Sequence, residues 1–462
     1  MQLRLSRNSA NRSKRLKELS QLSLYKMKVL MFGWEFPPHI SGGLGTASYG
    51  LTKGLAQFDD VEVLFVVPKA YGDEDNTAVK QIIGASDVSI TQKKIVFNNS
   101  ERKFNSLEVE SNLVPYSDPE EFWKLTEQRV SSQTRFIQTD SEGKIPFSGK
   151  YGANLLDEIA NYAIVAEFIG KEYDFDVIHA HDWLAYPAGI AAKRVSGKPL
   201  VIHVHATDFD RSGGSVNPRV YSIEREGMEI ADQIITVSNL TRNIVIEKYG
   251  IDPSKVTTVY NAVEPVERPE SKGSERGIKE KIVTFLGRIT MQKGPEYFIE
   301  AAYQVLRRTD NVHFVMAGSG DLMEKMIRRA ARLGIADKFH FTGFLHGDDV
   351  FDMFRMSDVY VMPSVSEPFG ISPLEAMMSD VPTIISKQSG VAEILTHAIK
   401  VDFWDINATA DAIYGILKYP ALSNMFKKFG REEVDSLQWK QSAEHVREVY
   451  LKALSNSNTK EI

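Results

Sequence analysis

The sequence predicts an α/β protein of two Rossmann-like domains, each a doubly wound parallel sheet. Three observations carry this. Short, continuous apolar runs recur, such as Lys28–Phe32 (KVLMF) and Val61–Val67 (VEVLFVV), as expected of strands buried on both faces. Helix-length segments separate them, so successive strands pair in parallel through right-handed crossovers. The rhythm halts at 264–280 (EPVERPESKGSERGIKE), a Pro-, Glu-, Ser- and Lys-rich linker, and a second series starts at Ile282.

The first series opens at Met27. Strand Lys28–Phe32 runs into a glycine-rich loop, Ser41-Gly42-Gly43-Leu44-Gly45, then a helix to about Phe58 and strand Val61–Val67. Residues 70–150 are polar and irregular in period, and are expected to form insertions and surface excursions. Periodicity returns with a helix near Asn154–Lys171, followed by strands at Asp176–Ala180, Leu200–His205, Gln233–Val237 and Val256–Tyr260. Polar residues close these strands: His181 and Asp182, His205, Ser238 and Asn261. Open α/β sheets bind ligands at the carboxyl ends of their strands, so these ends outline a site. The second series has strands at Ile282–Leu286, His313–Ala317, Lys338–Phe341, Val359–Met362 and Thr383–Ile385. A final amphipathic helix from about Gln438 carries Ala443, Val446, Val449, Tyr450 and Ala453 on one face. The expected domains are 27–265 and 281–437, joined by 266–280 and followed by a helix over 438–455. A cleft between two such domains is a preferred ligand site.

Composition narrows function. The 462 residues are 43% hydrophobic and 25% charged, a globular balance in a chain long enough for more than one core. No apolar run reaches the ~18 residues of a membrane-spanning helix, so no integral membrane segment is expected. The absence of cysteine excludes disulfides, thiolate nucleophiles, zinc–cysteine sites and iron–sulfur clusters, and fits a reducing, cytoplasmic setting. A net charge of −6 disfavours a nucleic-acid partner. Residues 1–26 carry seven Lys/Arg against one acid, Glu18, which leaves −12 on the rest. This basic segment is read as a disordered tail or the product of an upstream start codon, because Met27 opens the first strand directly. Its Arg- and Ser-rich composition also suits a transit peptide, the less favoured reading.

The strongest motif is Ser366-Glu367-Pro368-Phe369-Gly370-Ile371-Ser372-Pro373-Leu374-Glu375. Ser372 as N-cap, Pro373 at the first helical position and Glu375 at the third form a capping box, which is the structural reading of Glu375. The functional reading gives Glu375 a ligand's ribose hydroxyls and turns Glu367 toward the cleft. In Gly287-Arg288-Ile289-Thr290-Met291-Gln292-Lys293-Gly294, two cations at a strand's end suit a diphosphate, Arg288 binding two oxygens and Lys293 adding a point charge. The structural alternative is a solvated charged loop. The Gly42–Gly45 loop offers backbone N–H groups to phosphate. It also invites a dinucleotide-dehydrogenase reading with Glu62 as the ribose acid, but Ser48 stands where a third glycine belongs. Histidines alternate at His179 and His181 and at His203 and His205. The alternation is read as placing His203 and His205 on opposite sheet faces, which makes a shared metal ion unfavourable and at least two of the four histidines structural.

Together these residues resemble the retaining glycosyltransferases of the GT-B fold, over about Met27 to Tyr450. Glu367 and Glu375 match the family's E-x7-E element, Arg288 and Lys293 its donor-phosphate cations, and Trp439 to Tyr450 its terminal helix, which packs back on the N-terminal domain. KVLMFGWEFPPHISGGLG and HAHDW (His179–Trp183) are similar to bacterial and archaeal glycogen (starch) synthases. There are departures: Ile40 stands where many of these synthases have Lys, Asp380 where Gly is frequent, and Ser389-Gly390 replaces a Gly-Gly pair. Asp tolerates the left-handed conformation better than most residues, so the turn at Asp380 is expected to survive.

The resemblance implies two domains facing across a cleft, the C-terminal one binding ADP- or UDP-glucose and the N-terminal one the acceptor, an α-glucan or another carbohydrate. Catalytic roles fall to His205, Glu367, Arg288 and Lys293. Donor binding falls to Gly42, Gly43, Asp182, Phe369, Gly370, Ile371 and Glu375. No metal or other cofactor is implied, because Arg288 and Lys293 take the charge-neutralising role. Two alternatives remain: a transferase of the same fold with another donor sugar or a lipid or cell-surface acceptor, and a non-catalytic nucleotide-sugar-binding regulator.

Overall fold

The computed structural model describes residues 26–40, 42–90, 139–152, 154–264, 279–345 and 347–458. The basic tail, most of the 70–150 region and most of the linker lie outside the described residues.

Two parallel sheets organise the chain. The first contains β1 (Met27–Phe32), β2 (Val61–Val67), β3 (Gln81–Gly84), β4 (Val177–His181), β5 (Leu200–Val204), β6 (Gln233–Thr236) and β7 (Val256–Thr258). Its order is β3-β2-β1-β4-β5-β6-β7, with Met27 opposite Val61 and Val29 opposite Val177 in parallel register. The second contains β8 (Lys281–Leu286), β9 (Val312–Ala317), β10 (Phe339–Gly343), β11 (Val359–Met362), β12 (Thr383–Ser386) and β13 (Ile399–Val401), in the order β10-β9-β8-β11-β12-β13. The apolar runs that mark the central strands are buried along nearly their whole length, as parallel sheets covered on both faces require. Two edge strands escape the sequence reading, β3 (QIIG) and β13 (IKV); both are short.

The chain divides into two compact units. One is Met1–Ile202 with Ile230–Gln233 and Ala443–Ile462; the other is His203–Glu229 with Ile234–Ser442. The terminal helix, Trp439–Asn458, lies in the first unit from Ala443 on and there buries Ala443, Val446, Val449, Tyr450 and Ala453, the apolar face expected from its period. The Tyr450 hydroxyl meets His179 Nδ1 at 2.6 Å, and Arg447 holds the Asp60 carboxylate. Among the described residues no helix is long and apolar enough to cross a membrane.

Candidate active site

In each sheet the strand order reverses once, at β1/β4 and at β8/β11. Such switch points are where doubly wound sheets open a crevice at their carboxyl ends. β1 runs out toward Gly42 and Gly43, β4 into Asp182, β8 into the 287–294 loop and β11 into the 363–370 loop. Topology therefore brings these predicted residues to the two switch points, while His205 follows β5, one strand farther on.

In the second unit, the Lys293 ammonium contacts Glu367 Oε2, and the Ser364 hydroxyl donates to the same oxygen at 3.2 Å. Glu367 is 6% exposed, and a carboxylate this enclosed needs such partners. Its N–H donates to the Gln388 carbonyl at 2.9 Å. Gly294 explains how Lys293 reaches it. With φ +65, an added Cβ would lie 2.1 Å from the Pro363 carbonyl oxygen, so only glycine lets the 287–294 loop lie against the end of β11. Arg288 is exposed, its Nη2 donating to Gln292 Oε1 at 3.4 Å.

Glu375 lies in the helix α1 (Ser372–Met378), and the expected capping box is not formed. The N-cap position falls on Ile371, with helical φ −77, and no side chain caps it. Ser372 is engaged elsewhere, since the buried Tyr360 ring needs a partner for its hydroxyl and Ser372 Oγ accepts it at 2.9 Å. Glu375 thus has no capping task, and burial pushes its carboxyl up to about 7. The Phe369 ring is core, packed with Tyr360, Met362, Leu374 and Ile385, so a ligand at 369–371 meets main chain rather than that ring. Gly370 has φ +100, a conformation a side chain would strain. Asp380, in the turn after this helix, adopts φ +57, so aspartate does fill the left-handed position.

His205 follows β5. Burial, with Arg211 adding to it, lowers its pKa to about 3, so the ring is neutral near pH 7. The expected opposite facing of His203 and His205 is wrong: their rings stack with centroids 4.3 Å apart, and those of His179 and His181 lie 4.2 Å apart. Residues two apart on a strand share a face. His179 is also tied to Tyr450, in keeping with a structural role.

Sequence reasoning missed Asp210 and Ser366. Asp210 Oδ2 accepts the Thr207 N–H and hydroxyl, each at 2.8 Å, and closes a capping box on the short helix Asp208–Ser212. Asp210 Oδ1 accepts the Ser366 hydroxyl at 2.6 Å. The loop that follows His205 is thereby fastened to the residue before Glu367. The T-x-x-D spacing was visible in sequence; its partner 156 residues away was not. Ser212 Oγ and Thr290 Oγ1 are buried without a hydrogen-bond partner among the described residues. Gly213 packs against Met291, which brings these two hydroxyl-bearing segments together. Orphaned hydroxyls there suit an oxygen-rich ligand.

In the first unit, Gly42 is extended and the helix Gly43–Leu55 begins without a side-chain cap. A Cβ on Gly42 or Gly43 would meet nothing within 4 Å, whereas one on Gly45 would lie 2.0 Å from Ile40 Cγ2. Gly45 serves packing, and the other two leave room for a ligand. Asp182 opens the helix Asp182–Ser196 with φ +61, a strained position for a non-glycine residue at a strand's carboxyl end. Glu62 lies at the amino end of β2, beside Lys26 and Lys80, which removes it from the ribose position of the dehydrogenase reading.

Residues 267–433 match the family model of glycosyl transferases group 1, and residues 141–267 that of glycosyltransferase family 4. The catalytic domain of starch synthase IV from Arabidopsis thaliana, bound to ADP and acarbose, has the same fold, with TM-score 0.63 at 15% identity over 93% of this chain and 100% of that one. The chain has the GT-B fold, and both matched segments are those of glycosyltransferase families. An uncharacterized glycosyltransferase of Methanocaldococcus jannaschii is 29% identical over 401 residues, 84% of this chain and 87% of its own. Glycogen synthase of Mycobacterium tuberculosis is 24% identical over 443 residues, 92% of this chain and 95% of its own. The group 1 match contains Arg288, Lys293, Glu367 and Glu375, and the family 4 match contains Asp182 and His205.

Proposed function

We propose that this glycosyltransferase moves glucose from ADP- or UDP-glucose to the non-reducing end of an α-1,4-glucan, with retention of configuration. The observation that carries the reading is the Lys293–Glu367 pair at the β8/β11 switch point, followed by the helix that carries Glu375, whose carboxyl is pushed up to about 7. The near full-length similarity to a glycogen synthase supports it.

In this mechanism Glu375 holds the donor ribose, and main chain at Gly370 and Ile371 meets the diphosphate. Gly42 and Gly43 add N–H donors. Asp182 binds sugar hydroxyls, and neutral His205 lies beside the sugar. As the C1–O bond to the diphosphate breaks, Arg288 and Lys293 take up the negative charge on the leaving oxygen, an electrostatic contribution often worth 10²–10³ in rate. Glu367 orients the sugar as C1 gains oxocarbenium character. The acceptor hydroxyl bonds C1 from the face the diphosphate leaves, and its proton passes to the departing phosphate oxygen. No protein nucleophile is consumed.

Ile40 favours a second reading, with another donor sugar or acceptor. It places an apolar side chain where many glycogen synthases have Lys. The deciding experiment is proton NMR of the product from each donor with maltoheptaose. An α-anomeric signal at a lengthened non-reducing end supports the proposal; a β signal, or transfer only to other acceptors, overturns it.

A further inference from the structure

Trp404 stands apart from the other described tryptophans. Trp34, Trp183 and Trp439 are buried, while Trp404 is 57% exposed. It occupies the turn after β13, at the carboxyl edge of the sheet that carries Lys293 and Glu367. The turn is pinned on both sides. Asp402 accepts Lys387 Nζ at 2.8 Å and Gln388 Nε2 at 3.1 Å. Asp405 caps the helix Ile406–Lys418 through the Ala408 N–H at 2.9 Å. Behind the indole, Phe403 packs edge-on at 4.8 Å and 84°, and Tyr297 braces Phe403 at 5.1 Å. A residue just before an N-cap often packs on the fourth helical residue. Here that residue is Thr409, and the indole stays in solvent.

A rigidly mounted, exposed indole is a ready contact surface, because its order is already established before any ligand arrives. The flanking groups indicate what it contacts. Asp402 and Asp405 flank Trp404 in the same turn, and Gln388, bonded to Asp402, adds an amide. Lys387 cancels the charge of Asp402, and Asp405 leaves these three groups with one net negative charge, so the turn does not draw in a polynucleotide or acidic polymer. A neutral sugar fits: its C–H face lies on the indole while its hydroxyls donate to the carboxylates. Gln388 also accepts the Glu367 N–H, and β13 lies two strands from β11, roughly 10 Å at ordinary sheet spacing.

We infer that Trp404, backed by Phe403 and Tyr297, is a stacking subsite for a pyranose ring of a neutral polysaccharide, separate from the donor site. The inference extends the proposed function to polymeric acceptors, but its test needs no turnover. Wild type, Trp404→Ala and Trp404→Tyr are run on native gels containing none, glycogen, dextran or hydroxyethylcellulose. The expected result is retardation of wild type by at least one polysaccharide. Trp404→Ala should need about tenfold more polysaccharide for the same retardation, the scale of losing an aromatic anchor, and Trp404→Tyr should lie close to wild type. The three proteins should migrate alike in the plain gel. Unretarded wild type in every gel, or equal retardation of Trp404→Ala, overturns the subsite. Donor turnover with maltose, measured separately, is expected to be unchanged in Trp404→Ala. Its absence in wild type would count against the proposed function and leave the gel result standing.

Discussion

Lys293 neutralises Glu367: the ammonium meets a carboxylate oxygen that also accepts the Ser364 hydroxyl at 3.2 Å. The pair joins the loops after β8 and β11, and only the glycine at 294 lets those loops approach so closely. In the proposed mechanism a bound diphosphate would compete with Glu367 for the same cation. Charge on the leaving group is then stabilised by a group already in place, which costs no reorganisation at the moment of reaction.

Lys293→Ala should therefore lower turnover about 10²–10³-fold and change the donor KM less than tenfold. Steady-state nucleotide release measures both. Turnover at the wild-type value would remove Lys293 from the leaving-group role.

With the ribose role proposed for Glu375, pH should move donor binding and stability in opposite directions. Burial raises its carboxyl from 4.5 to about 7. Below that value the folded protein holds a proton that the unfolded chain, titrating near 4.5, has lost. Its stability contribution is thus complete at low pH and is lost as pH rises through about 7. The carboxylate that accepts ribose hydroxyls exists on the other side, so donor affinity should rise between pH 6 and 8. Glu375→Gln should melt higher than wild type at pH 8, match it near pH 5, and bind nucleotide about tenfold more weakly at pH 8. Calorimetry and thermal melts read these effects; unchanged nucleotide affinity would sink the ribose role.

His205 should carry no charge through the working range, because burial lowers its pKa to about 3. Its contribution to stability is complete above about 6.5 and is lost as pH falls toward 3, since the unfolded chain takes up the proton first. Between pH 7 and pH 4 the denaturation midpoint of wild type should drop relative to that of His205→Gln. Equal slopes would contradict the neutral ring.

Asp380 holds φ +57 at the end of its helix. Asp380→Gly should stabilise the protein by about 0.5–1 kcal/mol by relieving the left-handed strain, and Asp380→Val should destabilise it by about 1–2 kcal/mol. Thermal melts with unchanged donor affinity would place the effect in the turn. A less stable glycine variant would contradict it.

Central strands were legible because burial on both faces demands unbroken apolar runs, as in KVLMF and VEVLFVV. The edge strands QIIG and IKV were not, being too short for a run to stand out. Arg288, Lys293 and Glu367 could be found because charged residues at strand ends are conspicuous beside apolar runs. The Asp210–Ser366 link could not, because local sequence carries no record of a partner 156 residues away. The Ser372 cap failed for a related reason: the buried Tyr360 hydroxyl competes for the same oxygen, and only tertiary structure brings it there.

The most direct test of the central claim is nucleotide release from ADP-glucose and UDP-glucose, with and without glycogen, by wild type and Glu367→Gln. The account predicts glycogen-dependent release from one donor by wild type and at least a hundredfold slower release by the variant. Release at equal rates by both proteins, or tight nucleotide binding with no release from either donor, would contradict it.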